Sequence, residues 1–328
     1  SHLSRTLEIR MTEALKSGGQ VILLQNRRGY ATSVACSRCG YLVECRHCDV
    51  TLTYHRGDAL ALCHLCGHES RVPPACPDCA LPGLKMRGVG TQTIEEQLAE
   101  RFPDATVARM DSDSMVTRDA YEDVLGRFER GEIDILVGTQ MIAKGLDFPN
   151  VVLVGIISAD TALALPDFRA GERTFGLLAQ VAGRAGRGDV DGRVVIQTRM
   201  PGHPAIELAA GQDYEAFAQA ELKDREDFGY PPFGRLLRVV LRGRDGRSLD
   251  RRARETQQRI VAAASKATQI LGPATPPVAR VQGMHRRHIV VKAPDHREVA
   301  AVLHALRAAP RPKRGVEESW DVDPMGVL

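Results

Sequence analysis

Eight cysteines constrain this chain most, because they form four Cys-x-x-Cys pairs within one short stretch. The pairs are Cys36/Cys39, Cys45/Cys48, Cys63/Cys66 and Cys76/Cys79. Four thiolates hold one Zn²⁺ tetrahedrally, so eight thiols at this spacing predict two closed structural zinc sites. Structural disulfides are disfavoured, since no signal peptide is visible and a two-residue gap is typical of metal or redox sites. A thioredoxin-like function is weaker still, because all four pairs would have to be redox active together.

Spacing alone leaves three ways to assign the four pairs to two metals. Five residues separate Cys39 from Cys45, whereas fourteen separate Cys48 from Cys63. The longer gap suits a zinc ribbon, so we favour a nested arrangement. Its inner site uses Cys45, Cys48, Cys63 and Cys66, and its outer site uses Cys36, Cys39, Cys76 and Cys79. Metal binding at such sites contributes about 10–16 kcal/mol of folding energy.

The remaining composition is that of a soluble globular protein with two or three domains. The chain has 328 residues, of which 43% are hydrophobic and 26% charged, and no apolar run approaches the roughly 20 residues of a membrane span. The net charge is only +3, yet nine arginines face three acids between Arg235 and Arg259. Solvated faces of ordinary helices and strands would explain such a cluster by itself. Ser1-His2 is typical of an expression remnant, so we expect a piece of a larger protein.

An alternation of strands and helices runs through the first two thirds of the chain. Ser4 is a predicted helix N-cap, Val21–Leu24 is an apolar buried strand, and Thr93 with Glu96 is a predicted capping box. Further strands are predicted at Thr106–Met110, Ile133–Val137, Val151–Ile157 and Val194–Gln197, between helical segments. This order predicts an α/β fold with a mainly parallel sheet, into which the cysteine module is inserted after the first strand.

A second pattern follows the prolines between positions 201 and 232. The sequence predicts a strand at Leu236–Leu241, a long helix over about 248–270, strands near 278–283 and 288–292, and a helix near 296–308. This order predicts a small α+β sandwich.

Two polar stretches of the α/β region carry the chemistry. Gly138–Phe148 directly follows a strand, where α/β sheets place ligand-binding loops. Gln180–Arg187 is predicted at a helix end and contains Arg184 and Arg187, which on a helical end would project from nearly one face. Guanidinium groups aimed at a γ-phosphate offset developing charge and raise the rate by roughly 10³–10⁵. An isolated Arg-x-x-Arg would more often cap a helix and pair with surface acids.

Together these stretches resemble motifs V and VI of superfamily 2 helicases. The inserted cysteines narrow the resemblance to the PriA family of bacterial replication restart helicases, and it covers nearly the whole chain. The stretches that carry it are 26–30, 138–144, 166–169, 172–175, 180–187, 231–233 and 320–324. The resemblance implies a RecA-like second helicase lobe in two parts, 3–33 and 88–200. It also implies a two-zinc insertion at 34–87 and a C-terminal DNA-binding α+β domain at 201–328.

The resemblance also implies roles for single residues. Arg184 and Arg187 match the arginine fingers of motif VI, in which Gln180 is a further catalytic residue. Nucleotide binding is implied for Gly145, Asp147 and Gly183, and contacts with the DNA strand for Arg27, Thr139, Gln140 and Lys144. The family's outer cysteine pairs share one zinc and its inner pairs the other.

The partners implied by the resemblance are forked and single-stranded DNA, the single-stranded DNA-binding protein and primosome proteins. A monomer in the cytoplasm, associated with the nucleoid and not with a membrane, is implied as well. The cofactors are two structural Zn²⁺, with ATP and Mg²⁺ bound only together with the family's first helicase lobe. No Walker A loop and no Asp-Glu-x-His occurs in the sequence, so we expect this chain alone to hydrolyse no ATP.

Two positions depart from the family's motifs, and they keep a second function open. Leu146 stands where histidine is usual, and Gly176 where glutamine is expected. The alternative to a helicase part is therefore an ATPase-deficient scaffold that binds branched DNA and assembles the primosome. A zinc-ribbon protein with a purely structural α/β domain is a third option, but it leaves Gln180–Arg187 unexplained.

Overall fold

The computed structural model consists of two compact units, which are described separately. The first unit comprises residues 1–31, 88–165 and 169–219, and the second comprises 32–87, 166–168 and 220–328. Residues outside the description are 1, 26–32, 40, 48–51, 56–59, 64–67, 88–90, 112–114, 116, 140–141, 143–147, 164–166, 184–191, 309–314 and 327–328. Among the described helices, none has the length and apolar character to cross a bilayer.

A five-stranded parallel sheet forms the centre of the first unit. Its strand order is β10-β9-β1-β8-β7, and every residue of the central strand β1 is buried. Such burial is expected of a central parallel strand, because side chains on both of its faces meet helices. The prediction of an α/β fold with a mainly parallel sheet is confirmed. The strands are β1 (Gln20–Gln25), β7 (Val107–Met110), β8 (Ile135–Gly138), β9 (Val151–Ile157) and β10 (Arg193–Ile196).

Helices cover both faces of this sheet. On one face Leu7 and Met11 of α1 pack with Ile94 and Leu98 of α2. The core on the other face contains residues of α3 and α5–α7, including Phe128, Phe175 and Phe217. The helices are α1 (Arg5–Lys16), α2 (Thr91–Arg101), α3 (Arg118–Glu129), α4 (Asp160–Leu163), α5 (Ala170–Ala182), α6 (Pro204–Ala210) and α7 (Tyr214–Asp227), the last of which continues into the second unit.

The first turns of the helices follow the capping rules at one predicted site and not at the other. Ser4 caps α1, since its hydroxyl accepts a hydrogen bond from the Leu7 N–H at 3.3 Å. The predicted capping box at Thr93 is wrong, because α2 already begins at Thr91. The helix thus begins three residues before the Ile94 start that an N-cap at Thr93 would give, and in its first turn the Thr91 hydroxyl donates a hydrogen bond to the buried Asp111 carboxylate.

The first part of the second unit is a small antiparallel sheet that contains the cysteines. Its strand order is β5-β4-β3-β2-β6, and Val34, Val43, Leu52 and Ala61 form its modest core. The module lies between β1 and α2 in the sequence, so the chain of the first unit is interrupted there, as predicted. Its strands are β2 (Ser33–Cys36), β3 (Thr53–His55), β4 (Leu60–Leu62), β5 (Glu69–Arg71) and β6 (Leu84–Arg87).

The C-terminal part of the second unit is an antiparallel sheet with two helices packed on it. The strand order is β12-β14-β11-β15, and the short strand β13 pairs with β14. Residues of α8 and α9, among them Leu249, Ile260 and Val302, share a core with β11 and β14. The elements are β11 (Arg235–Gly243), α8 (Gly246–Ala263), β12 (Gln269–Ala274), β13 (Arg280–Val281), β14 (Met284–Ala293), α9 (His296–Ala308) and β15 (Val316–Val322).

Two details of this part, and one of the first unit, differ from the predicted pattern. Helix α8 ends at Ala263 and not near 270, because Ala264 is extended and the chain turns into β12. The edge strand β15 has no predicted counterpart, since most of its residues are exposed and it lacks an apolar alternation. Helix α6 was also not predicted, although Pro204 stands at its start and His203 accepts the N–H of Ala205.

Two glycines of the first unit provide a matched test of this packing. A Cβ at Gly138 would meet the Met110 carbonyl oxygen and lie 2.9 Å from Ile142 Cγ2, whereas at Gly176 nothing lies within 4 Å. Gly138→Ala should therefore lower the free energy of unfolding by about 1–3 kcal/mol, because the Met110 backbone in the neighbouring strand cannot move aside for the added methyl group. Gly176→Ala should raise it by about 0.5–1 kcal/mol, since alanine favours the helix.

Thermal and urea unfolding of both variants measure this difference. Equal changes in the two unfolding midpoints would contradict the close packing of β8 against β7.

Candidate metal centre and ligand-binding edge

The four outer cysteines form one cluster next to the paired strands β2 and β6 of the small antiparallel sheet. The sulfur atoms of Cys36, Cys39, Cys76 and Cys79 all lie within 4.8 Å of one another. Cys36 is the last residue of β2, which pairs with β6. The other pair of the cluster, Cys76/Cys79, precedes β6 in the sequence. Strand pairing thus brings together two cysteine pairs that lie 37 to 43 residues apart.

The spacing of these sulfurs fits a tetrahedral zinc site. Zinc–sulfur bonds of about 2.3 Å place tetrahedral sulfurs about 3.8 Å apart. The Sγ–Sγ distances are 3.8 Å for Cys36–Cys79 and 3.6 Å for Cys39–Cys76. A disulfide requires a sulfur–sulfur distance of about 2.05 Å, so these cysteines are not bridged. When bound, zinc would link the two cysteine pairs through these four sulfurs.

The electrostatics of the cluster also favour a bound cation. Backbone N–H groups of Cys39 and then Arg38 lower the pKa of Cys36 to about 6, and the Arg38 nitrogen lies 3.4 Å from that sulfur. The Tyr41 N–H lowers the pKa of Cys39, but burial and the neighbouring sulfurs outweigh it and raise that pKa to about 12. Without a cation the cluster therefore retains protons, whereas Zn²⁺ replaces them and stabilises four thiolates.

Within the described residues, one turn geometry repeats at three cysteine pairs. The N–H of the first cysteine donates to the carbonyl five residues later, from Cys36 to Tyr41, Cys63 to His68 and Cys76 to Leu81. Distances are 2.7, 2.8 and 3.0 Å. At Cys45 the His47 N–H lies 3.3 Å from the sulfur, like Arg38 at Cys36. Members of the inner and outer sets thus share the same turn chemistry.

The predicted inner site is only partly within the described residues. Cys45 and Cys63 are both buried and belong to the same small core as Val34 and Leu52. Cys48 and Cys66 lie outside the described residues.

The predicted nucleotide and DNA residues lie in or after elements of the parallel sheet. Thr139 follows the carboxyl end of β8, and its N–H donates to the Met110 carbonyl at 3.3 Å. Gln180 is exposed near the end of α5, and Gly183 caps that helix. Arg27, Gln140, Lys144, Gly145, Asp147, Arg184 and Arg187 lie outside the described residues. The arrangement of Thr139 relative to Gln180 and Gly183 at one site stays a prediction.

A buried polar group beside this edge was not anticipated. The fully buried Asp111, after β7, accepts the Thr91 hydroxyl and lies 3.7 Å from Arg109. Arg109 also contacts Glu95 at 3.6 Å, and burial raises the pKa of Glu95 in spite of that cation. The only sequence signal for this buried group was the position of Asp111 directly after a predicted strand.

Family comparisons agree with the fold and with a cysteine-rich zinc module. The helicase conserved C-terminal domain matches residues 88–189, and the cysteine-rich region domain of PriA DNA helicases matches residues 45–71. The C-terminal domain of primosomal protein N matches residues 226–325. The chain is thus a RecA-like superfamily 2 helicase lobe that carries a zinc-binding cysteine-rich module and a small C-terminal domain.

Curated relatives define the family more closely. The chain is 44% identical to replication restart protein PriA of Bacillus subtilis, with 93% of the chain and 38% of the relative covered. The chain is 39% identical to the Synechocystis protein of that name, with 100% of the chain and 40% of the relative covered. It is 42% identical to the Treponema pallidum protein, with 98% of the chain and 48% of the relative covered. This chain belongs to the PriA family, corresponds to its C-terminal part, and spans less than half the length of these relatives.

Removing sulfurs from the outer cluster tests the metal centre. Cys36→Ser with Cys76→Ser should lower the zinc content by one metal per chain, because one ligand is lost from each pair that the metal joins. Ser37→Ala, a neighbouring exposed change, should leave the zinc content unaltered. Elemental analysis of the purified variants by mass spectrometry measures both. Full zinc content in the double serine variant would contradict the cluster.

Proposed function

We propose that this chain is the second motor lobe, zinc module and C-terminal domain of an ATP-dependent superfamily 2 DNA helicase. The complete protein would recognise stalled or branched replication forks and load the primosome. The observation that carries this proposal is the order of three matched regions on one chain, together with 44% identity to a replication restart protein. An isolated helicase lobe or zinc ribbon would account for only one of these regions.

Motif VI supplies the proposed catalytic residues. Helix α5 ends at Ala182, so the chain that carries Arg184 and Arg187 leaves a rigid helix whose Phe175, Leu178 and Val181 are buried. A rigid origin suits arginine fingers, which must reach a γ-phosphate held by another lobe. Gln180, Gly145, Asp147 and Gly183 would complete the nucleotide face. ATP and Mg²⁺ would bind only when the family's first lobe supplies the phosphate cradle.

DNA contacts are proposed for the carboxyl edge of the parallel sheet. Thr139 stands at the end of β8, next to the central strand β1, in which Leu24 is paired with Gly138. Because parallel strands end at the same edge, Arg27 after β1 and Gln140 with Lys144 after β8 are expected on one side of the sheet. Cations and amides there would contact strand phosphates.

We propose two structural zinc ions, one for each set of four cysteines. The shared turn at Cys36, Cys63 and Cys76 supports equal roles for inner and outer pairs. The wild-type chain should contain two zinc atoms, and Cys45→Ser with Cys63→Ser should leave one. Elemental analysis checks the count, and one zinc in the wild type would refute the inner site.

Partners of the complete protein are proposed from the family. They are forked and single-stranded DNA, the single-stranded DNA-binding protein and primosome proteins, with a monomeric state in the nucleoid. The domain limits predicted above, 3–33, 34–87, 88–200 and 201–328, remain part of this proposal. The structure groups residues 201–219 with the parallel sheet.

The rival scaffold function predicts a different outcome in an ATPase assay. We expect no fork-stimulated ATP turnover by this chain alone, and strong turnover by the complete protein. In the complete protein, Arg187→Ala should lower turnover by roughly 10³-fold or more while DNA binding persists. Arg193→Ala, which removes an exposed arginine paired with Glu13 at 3.2 Å, is the matched control.

Steady-state phosphate release with and without forked DNA measures both variants. Fork binding without any turnover by the complete protein would favour the scaffold.

A further inference from the structure

Seven of the nine arginines in the segment between positions 235 and 259 fall into two structural groups. Four of its nine arginines form ion pairs with acids at the C-terminal end of the chain. These pairs are Arg235–Asp323, Arg238–Asp321, Arg242–Glu317 and Arg252–Glu318, with nitrogen–oxygen distances of 2.8, 3.2, 2.5 and 3.2 Å. Their charges are offset within the sheet and its helix, which is a structural role.

A second group lies on the outer face of α8. Arg247, Arg251 and Arg254 are exposed, whereas Leu249 and Ile260 point into the core. Positions separated by four and three residues share one face of a helix. We call these three residues the arginine stripe. At about 1.5 Å per residue, the stripe extends roughly 10 Å along α8.

The stripe keeps its positive charge available to a ligand. Neither Arg251 nor Arg254 forms an ion pair with any residue that the structure describes. The stripe borders a shallow depression of about 510 Å³, together with Asp250, Glu255 and Gln258. Both carboxylates are engaged by other arginines, Asp250 with Arg287 at 2.7 Å and Glu255 with Arg252 at 3.7 Å. The depression therefore presents Arg251 and Arg254, which have no ion pair with a described residue, beside two carboxylates that pair with other arginines.

We propose that the arginine stripe binds the sugar–phosphate backbone of duplex DNA in one arm of a forked substrate. This inference rests on the proposed DNA-binding function and assigns it a surface. A strand of duplex DNA carries one phosphate per 3.4 Å of axis, so roughly 10 Å of helix faces about three phosphates. No aromatic side chain lines the depression, which disfavours stacked single-stranded bases as the ligand. The contacts would position the duplex without reading its sequence.

A salt titration distinguishes a phosphate contact from a solvated charge. The double variant Arg251→Gln with Arg254→Gln is compared with the wild-type chain. It should reduce the slope of the logarithm of the DNA-binding constant against the logarithm of the salt concentration by about 1.8, which is about 0.9 for each lost phosphate contact. Affinity at physiological salt should fall roughly tenfold to thirtyfold, as that slope requires. The probe is a fluorescent forked DNA with duplex arms, and the readout is anisotropy.

Two further variants keep the interpretation specific. Arg297→Gln with Arg307→Gln removes the same charge from exposed positions of α9 in the same unit and should leave the slope nearly unchanged. Arg251→Lys with Arg254→Lys retains the charge and should restore most of the slope. Equal losses from α8 and α9, or an unchanged slope in the α8 glutamine variant, would overturn the proposal.

The outcomes also separate this inference from the proposed function. Wild-type chain that fails to bind forks would refute DNA binding as a whole, and the stripe with it. Wild-type chain that binds forks while the glutamine variant binds equally well would refute the stripe alone. If the glutamine variant loses binding to an aspartate-rich peptide but still binds DNA as the wild type does, the stripe binds an acidic peptide, and the proposal is likewise overturned.

Discussion

Four thiols held within 4.8 Å of one another are the constraint on which the arrangement of this chain depends. Such a cluster is unfavourable as four thiolates unless a cation balances them, so metal binding and folding of the module are coupled. Closure of the cluster also accompanies the pairing of β2 with β6, in which Ser33 lies opposite Arg87. The insertion therefore begins and ends on two strands that are paired with each other.

The parallel sheet and its helices position the two stretches that resemble helicase motifs V and VI. Its central strand is buried on both faces, and its neighbours β8 and β9 carry the chain to the same edge. Glycine at position 138 is needed at that edge, because the Met110 carbonyl occupies the space of a side chain. The stretch proposed as motif V thus follows a closely packed point, and the stretch proposed as motif VI follows the end of α5, whose inner face is buried. The nucleotide and DNA contacts proposed for them would depend on both starting points being fixed.

Sequence reasoning succeeded where a pattern reports burial directly. The apolar run Val21–Leu24 predicted a buried parallel strand, and Ser4 predicted the start of α1, because both signals are local. It failed at β15 and at the end of α8. β15 is a charged edge strand that pairs with β11 through its backbone, so its sequence shows no apolar alternation. Helix α8 ends where Ala264 becomes extended, and composition does not mark that point.

The sequence by itself determined the chemistry of the ligands and the family. Cys-x-x-Cys spacing specifies a turn that supplies two thiolates to a metal, and the motif residues carry the resemblance to replication restart helicases. Only the tertiary structure decided that Cys36 and Cys39 meet Cys76 and Cys79, because strand pairing between distant segments brings them together. It also decided which arginines of the basic cluster are paired with acids and which face solvent. That division depends on the register of β15 against β11, which no local pattern encodes.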